Sequence, residues 1–394
     1  MAEVTQISTG LAEPELSGHE LYDVFYKHRY TELDGLRGIA SMMVGMSHAF
    51  GIATLISSVL VGNLITVFVT GLINGAIAVD LFFIMSGFFL CGMLENVRLP
   101  QIPAFYLRRL ARLVPPAVAS VALLYLFARL TFTSKTTYPP GAAIPLQFYS
   151  ANFMMPLKIL VLNLALIRHT LNPPLWTIRL EIFTSILFPA VFYLKNYKSS
   201  ISYKLALMGV FFAIAVLLNS HQKLGIDVFH YLYLFYAGAL ARDYGQYVHK
   251  IPQRAQYLIF AAAILALVLI GEFIPLNDGH PIPFDLPTTI FGTILVVLLA
   301  YGNIPAIRNF MDSRAIQFLG RISYSFYLVS WLSIVTVGGL ISNSAMVAHH
   351  GDIFTLCVGV PCVTAAGVAL AYLLHVAVER PSVALSRYLG AKLQ

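Results

Sequence analysis

The chain has 394 residues, 58% of them hydrophobic and 11% charged, with a mean hydropathy of +0.77. A soluble domain of average usage does not approach these values, so composition excludes a soluble globular protein and points to a polytopic membrane protein. The formal charge of +7 follows from an uneven spread of basic residues between loops and gives no support for nucleic-acid binding.

Residues 1–35 are polar and carry no n-region, short h-region or small-residue cleavage site, so the first apolar stretch reads as a retained helix. Ten stretches of spanning length follow, near 38–58, 67–93, 113–133, 175–194, 203–219, 228–241, 255–273, 287–303, 321–343 and 353–378. The expected fold is therefore all-α: about ten transmembrane helices, with a polar segment at 1–35, a membrane domain over 36–381 and a tail at 382–394. With the N-terminus inside, nineteen of the 25 basic residues fall in inner segments, and only Lys135, Lys158, Arg168 and Lys223 in outer ones. The positive-inside rule then places both termini in the cytoplasm.

The first span, LDGLRGIASMMVGMSHAFGIATLI, opens on Arg37 and carries His48 eleven residues further on, about 16 Å along the axis. An intramembrane imidazole has two readings: a general base for a hydroxyl, or a structural group hydrogen-bonded to a neighbouring helix. The second span holds Asp80, a carboxylate that needs a partner or a proton at that depth, and Ser86 and Gly87, which suit either close helix packing or a polar contact to a ligand. The connection PAFYLRRLARLVPP brings Arg108, Arg109 and Arg112 to the inner face, Arg108 and Arg112 on one side of a helix. Guanidinium forks there suit phosphates or the acidic headgroups of membrane lipids.

The connection at about 134–174 is proline-rich and contains an amphipathic stretch, PLKILVLNLALIRH, that reads as folding back onto the outer membrane surface. The fourth span places Glu181 at a depth like that expected for His48 and Asp80, so the three are expected to share one polar site, with Glu181 orienting the imidazole. Arg179, two residues away, points to another face. Further on, His230 after Asp227 and His375 before Glu379 read as local helix pairs, and Tyr324, Ser325 and Ser330 as interhelical hydrogen-bonding groups. Cys91, Cys357 and Cys362 fall in apolar spans and imply neither a disulfide framework nor a metal site.

Taken together, LDGLRGIA with the Arg-x10-His spacing, VDLFFIMSGFF, FYLRRLARLVPP, LWTIRLEIFTSILFP, RISYSFYLVSW and the terminal ERP resemble the membrane acyltransferase 3 family, in order along nearly the whole chain. The resemblance implies a ten-helix fold, an acyl-CoA donor (usually acetyl-CoA) bound from the cytoplasm, no metal, and a carbohydrate or lipid-linked glycan acceptor on the outer side. It makes Arg37 and His48 the core catalytic pair and the Arg108, Arg109 and Arg112 cluster a contact for CoA phosphates; the residues themselves add Glu181 and Asp80 as expected supports of the imidazole and Ser86 as an expected ligand contact. The chain departs from the family pattern at Ser330, where many members have histidine, and before the fourth span's apolar run, where Glu181 is a single carboxylate. The alternative is a proton-coupled secondary transporter, against which the chain shows no duplicated half or paired broken helices. Oligomeric state and acceptor identity stay open at this level.

Overall fold

A computed structural model describes residues 30–52, 69, 71–95, 97–131, 157–218, 227–273, 282–342 and 355–392, and among these all regular structure is helical. The helices are α1 (Thr31–Ile52), α2 (Gly75–Leu94), α3 (Ile102–Thr131), α4 (Leu157–Leu164), α5 (Leu175–Asn196), α6 (Ile201–Leu218), α7 (Asp227–Tyr244), α8 (Gln253–Phe273), α9 (Ile282–Tyr301), α10 (Pro305–Met311), α11 (Arg314–Ser333), α12 (Gly339–Ser342), α13 (Val360–Leu374) and α14 (Arg380–Lys392). Wider π-turns join α11 to α12 and α13 to α14, and helix continues unbroken from Cys357 to Lys392.

A helix occupies each of the ten expected positions, yet the count of spans is smaller. Seven described stretches are long and apolar enough to cross a membrane, eight if the segments Leu286–Tyr301 and Pro305–Met311, bent by 90°, form one broken span. The two that fall short are α1 and α7. The apolar continuation expected for α1 at 53–58 lies outside the described residues, as do 134–156 of the long outer connection. Helix α7 is only 18 residues long and carries Asp227, Arg242 and Asp243. It is walled in rather than lipid-facing, with Leu232 to Ala237 all buried, so its surface need not be apolar throughout. The amphipathic stretch after residue 156 forms the short helix α4, with Leu157 and Val161 exposed.

Close helix contacts are made by small residues, as is usual without a hydrophobic force between lipid-bathed helices. Helices α1 and α11 touch where Gly38 meets the backbone of Gly320, and α2 and α7 touch where Gly87 and Gly238 each abut the partner's main chain. Relative directions follow from the side-chain pairs. Tyr30 packs on Phe88 while Ser47 abuts Gly75, so α1 and α2 are antiparallel. Phe83 stacks on Phe235 and Arg242 pairs with Glu95, so α2 and α7 run together. Helices α5 and α9 also run with α2, through Ser86–Glu181 and Cys91–Lys195 in one case and Asp80–Thr288 and Ile84–Gly292 in the other. Gly35 meets Ile316 and Gly45 meets Phe326, so α11 is parallel to α1.

One end of the bundle is cross-linked by charge. Asp243 receives Lys195 Nζ at 2.6 Å and Lys204 Nζ at 2.7 Å, one on each carboxylate oxygen, and Lys195 also donates to Cys91 Sγ at 3.3 Å. Arg242 binds both oxygens of Glu95 at 3.1 Å and lies over the rings of Tyr30 and Phe88. The Lys195 side chain is only 2% exposed, so its charge depends on Asp243. Asp243→Asn is expected to destabilise the folded protein by about 3–5 kcal/mol, because a buried cation loses its partner; thermal unfolding in detergent should show this as a lower midpoint, with a smaller effect for Glu95→Gln at the more exposed pair.

Candidate active site

A cleft opens between α1, α2, α5 and α11. Helix α2 contributes Val79, Phe82, Phe83 and Ser86, spaced i, i+3, i+4, i+7 and therefore on one face. Helix α5 contributes Thr177, Ile178 and Glu181, and α11 contributes Ser323, Tyr324 and Tyr327. Arg37 of α1 completes the lining. Because the helices run as described, the cleft has a charged end at Arg37, Ser86, Glu181 and Tyr324, and an uncharged end at Val79, Thr177 and Tyr327.

The charged end is organised by Glu181. Its Oε1 accepts from Arg109 Nη2 at 2.8 Å and from Ser86 Oγ at 3.2 Å. Arg109 Nε donates to Ser185 Oγ at 3.2 Å, and Ser185 Oγ donates to the Glu181 carbonyl at 2.6 Å. The Arg109 and Glu181 side chains are 10% and 19% exposed. Arg112 lies within electrostatic reach of Arg37, Arg109, Glu379 and Glu181. Glu379 stands in the π-turn His375–Glu379, where its Oε2 accepts from Ser325 Oγ at 2.6 Å and meets His375 Nδ1 at 2.9 Å. Three guanidinium groups thus face two carboxylates, a surplus of one positive charge.

The expected meeting of His48, Asp80 and Glu181 is not found. Glu181 pairs with Arg109, not with His48. Helix α2 serves as the ruler: Ser47 abuts Gly75, whereas Glu181 is bonded to Ser86, eleven residues further along, or about 16 Å. Asp80 lies between these levels, is buried, and accepts from Thr288 Oγ1 at 3.0 Å on α9; it does not line the cleft. His48 packs edge-on to Trp331, with ring centroids 5.6 Å apart. Trp331 follows Tyr327 by four residues on α11, so the imidazole sits one helical turn beyond the uncharged end of the cleft.

The arginine cluster also divides. Arg109 turns to α5 and Arg112 to the charge cluster. The Arg108 carbonyl accepts from Ser386 Oγ at 2.8 Å and its side chain lies against Gly390, so Arg108 packs on α14 rather than in the cleft. Arg179 faces away from Glu181, as expected, towards the Ile167 carbonyl at 3.4 Å. The pair His375–Glu379 is present as expected. Thr177 and Tyr327 were not singled out by sequence reasoning as site residues, although Thr177 stands four residues before Glu181 and so shares its helix face. Among the described residues, no group of three or more His, Cys, Asp and Glu side chains is placed to hold a metal ion.

Removing either member of the Arg109–Glu181 pair leaves a buried charge without its partner. Arg109→Gln and Glu181→Gln should each lower stability, and the double substitution should cost less than the sum of the two, with a coupling of roughly 0.5–3 kcal/mol. A thermal-melt double-mutant cycle measures this directly; additive losses would mean the pair is not coupled.

A family model described as an acyltransferase domain matches residues 30–376. A Komagataeibacter xylinus protein named "Putative membrane-bound transacylase BcsY" is 27% identical over 335 residues, covering 81% of this chain and 76% of its own length. No solved structure matches the chain. The family match takes in the whole cleft, the charge cluster of α1, α3, α5 and the π-turn up to Val376, and His48 beyond it: the chain belongs to the membrane acyltransferase 3 family.

Proposed function

We propose that the protein is an O-acyltransferase of the inner membrane that moves an acyl group, usually acetyl, from cytoplasmic acyl-CoA to a hydroxyl of a carbohydrate or lipid-linked glycan on the outer side. The observation that carries this reading is the polarity of the cleft: surplus positive charge at one end, hydroxyls and apolar side chains along it, and His48 one turn past the other end. An anionic donor with a long neutral arm suits that gradient. Its phosphates would lie near Arg112 and Arg37, and its thioester would lie towards Tyr327 and His48.

The sidedness rests on two supports. Basic residues favour the side of both termini, and the relative directions of α1, α2, α5, α7, α9 and α11 are those that ten alternating crossings require. In this reading His48 acts as general base towards the acceptor hydroxyl or carries the acyl group itself. Arg37 and Arg112 hold the donor, while Glu181 and Ser86 fix Arg109 and shape the entrance. Asp80 acts at a distance by holding α2 to α9.

Purified protein with acetyl-CoA and candidate glycans should release CoA and form an ester product. His48→Ala should lose roughly 10²–10⁴ in rate while binding donor as before; a well-folded His48→Ala at near-parental rate would remove the imidazole from the mechanism. Arg112→Gln should raise the donor KM, at about 1.5–3 kcal/mol for a lost charge-assisted contact. Arg108→Gln should leave it unchanged, since that side chain is committed to α14. Proton-coupled uptake with no CoA release would favour a transporter instead.

A further inference from the structure

At the uncharged end of the cleft, three oxygens form a triangle. Thr177 Oγ1 lies 2.7 Å from Tyr327 Oη and 3.1 Å from the Pro174 carbonyl, and Tyr327 Oη lies 3.0 Å from the same carbonyl. Three oxygen pairs are within hydrogen-bond distance, but the two hydroxyls supply only two protons. At least one contact is therefore always without a proton, and the two protons have alternative arrangements.

In the first arrangement Thr177 donates to Tyr327 and Tyr327 donates to Pro174. In the second, Thr177 donates to Pro174 and the phenol O–H, still carrying its proton, turns away from Pro174 into the cleft. Both Thr177 and Tyr327 line the cleft, and both are buried, so a phenol O–H turned away from Pro174 has the cleft's contents as its partner. The exchange leaves no backbone carbonyl orphaned, because Thr177 takes over the Pro174 oxygen as the phenol leaves it. A bound carbonyl oxygen can thus gain a donor while the number of hydrogen bonds stays at two.

We propose that Tyr327 is a catalytic residue that donates a hydrogen bond to the thioester carbonyl of the acyl donor, and that Thr177 is the positioning residue that frees it to do so. This rests on the acyl-transfer reading and assigns the stabiliser of the developing oxyanion within it. As the nucleophile's electron pair bonds to the thioester carbon, the C=O pair moves onto oxygen. When that pair returns, the C–S bond breaks, and the thiol leaves with the proton that the nucleophile gave up. The phenol keeps its own proton throughout and contributes only the hydrogen bond, which strengthens as charge develops on oxygen. The site suits this role because Phe82 and Phe83 line the cleft beside it and water is excluded from a hydrogen bond flanked by apolar walls.

The test compares the parent with Tyr327→Phe, Thr177→Val and Thr177→Ser in full-length protein, using acetyl-CoA carrying a ¹³C-labelled thioester carbonyl. Tyr327→Phe should lower kcat roughly 10²–10³-fold, as loss of one oxyanion donor does, with the acetyl-CoA KM unchanged. The infrared band of the bound thioester carbonyl should lie at lower frequency in the parent than in Tyr327→Phe. Thr177→Val holds the phenol on Pro174 and should lower kcat about tenfold, the cost of one hydrogen bond, and Thr177→Ser should restore it. Unchanged kcat in Tyr327→Phe, or the same carbonyl band in both proteins, would overturn the inference while leaving acyl transfer intact. A parent that neither binds acetyl-CoA nor releases CoA overturns the acyl-transfer reading, and this inference with it.

Discussion

An ion pair inside an apolar bundle is the constraint around which the rest of this molecule is arranged. Neither Arg109 nor Glu181 is tolerable alone among hydrocarbon-facing helices, where a single uncompensated charge costs several kcal/mol. Once paired at 2.8 Å, they bring α3 against α5. The remaining contacts of the pair, Ser86 from α2 and Ser185 from α5 itself, fix the roll of two helices about their own axes. That roll turns Thr177 of α5 and Phe82 and Phe83 of α2 into the same space, where Tyr327 of α11 meets them. The cleft is thus a by-product of satisfying one buried charge pair, and its polarity is inherited from where that pair sits.

Much of the architecture is legible in the amino-acid sequence because apolar length and helix position are tied by a fixed rise per residue. Helices appear at all ten expected places, and Arg37, Ser86 and Glu181, each a candidate in the sequence, line one cleft. Depth is what the sequence conceals. Estimating depth from the ends of hydrophobic runs assumes that every helix starts at the same plane, and several do not, α2 and α3 among them. Helix α2 begins at Gly75, eight residues later than its apolar run suggests, because Asn74 caps it, accepting from the Ala76 and Ile77 amides. Helix α3 begins at Ile102, well before its apolar run, so Arg109 and Arg112 lie within a helix that enters the bundle rather than in a loop at its mouth. The early start of α3 lets Arg109 reach Glu181, and His48 is left about three helical turns away.

Glu379 shows a second kind of concealment. Its i,i+4 spacing from His375 is visible in the chain, and the pair exists, but the turn between them is a π-turn. One extra residue per turn rotates everything that follows, a device that often marks functional positions. That rotation lets one carboxylate oxygen reach both His375 and Ser325, and it puts Glu379 within range of Arg112. No hydrophobic pattern signals a change of helix type, since the residues concerned, His375 to Glu379, fit an α-helix equally well.

The unbroken helix from Cys357 to Lys392 has 36 residues, a length of about 54 Å at the usual rise. A hydrocarbon layer of about 30 Å covers little more than half of that upright, and less than three-quarters at a tilt of about 40°. The surplus does not stand alone, because Ser386 and Gly390 are fastened to Arg108 near the start of α3. Two helices therefore rise together past the lipid as a buttress on one flank of the charged entrance. A rim raised on one side would leave a large, flexible molecule only the other flank by which to reach the arginines.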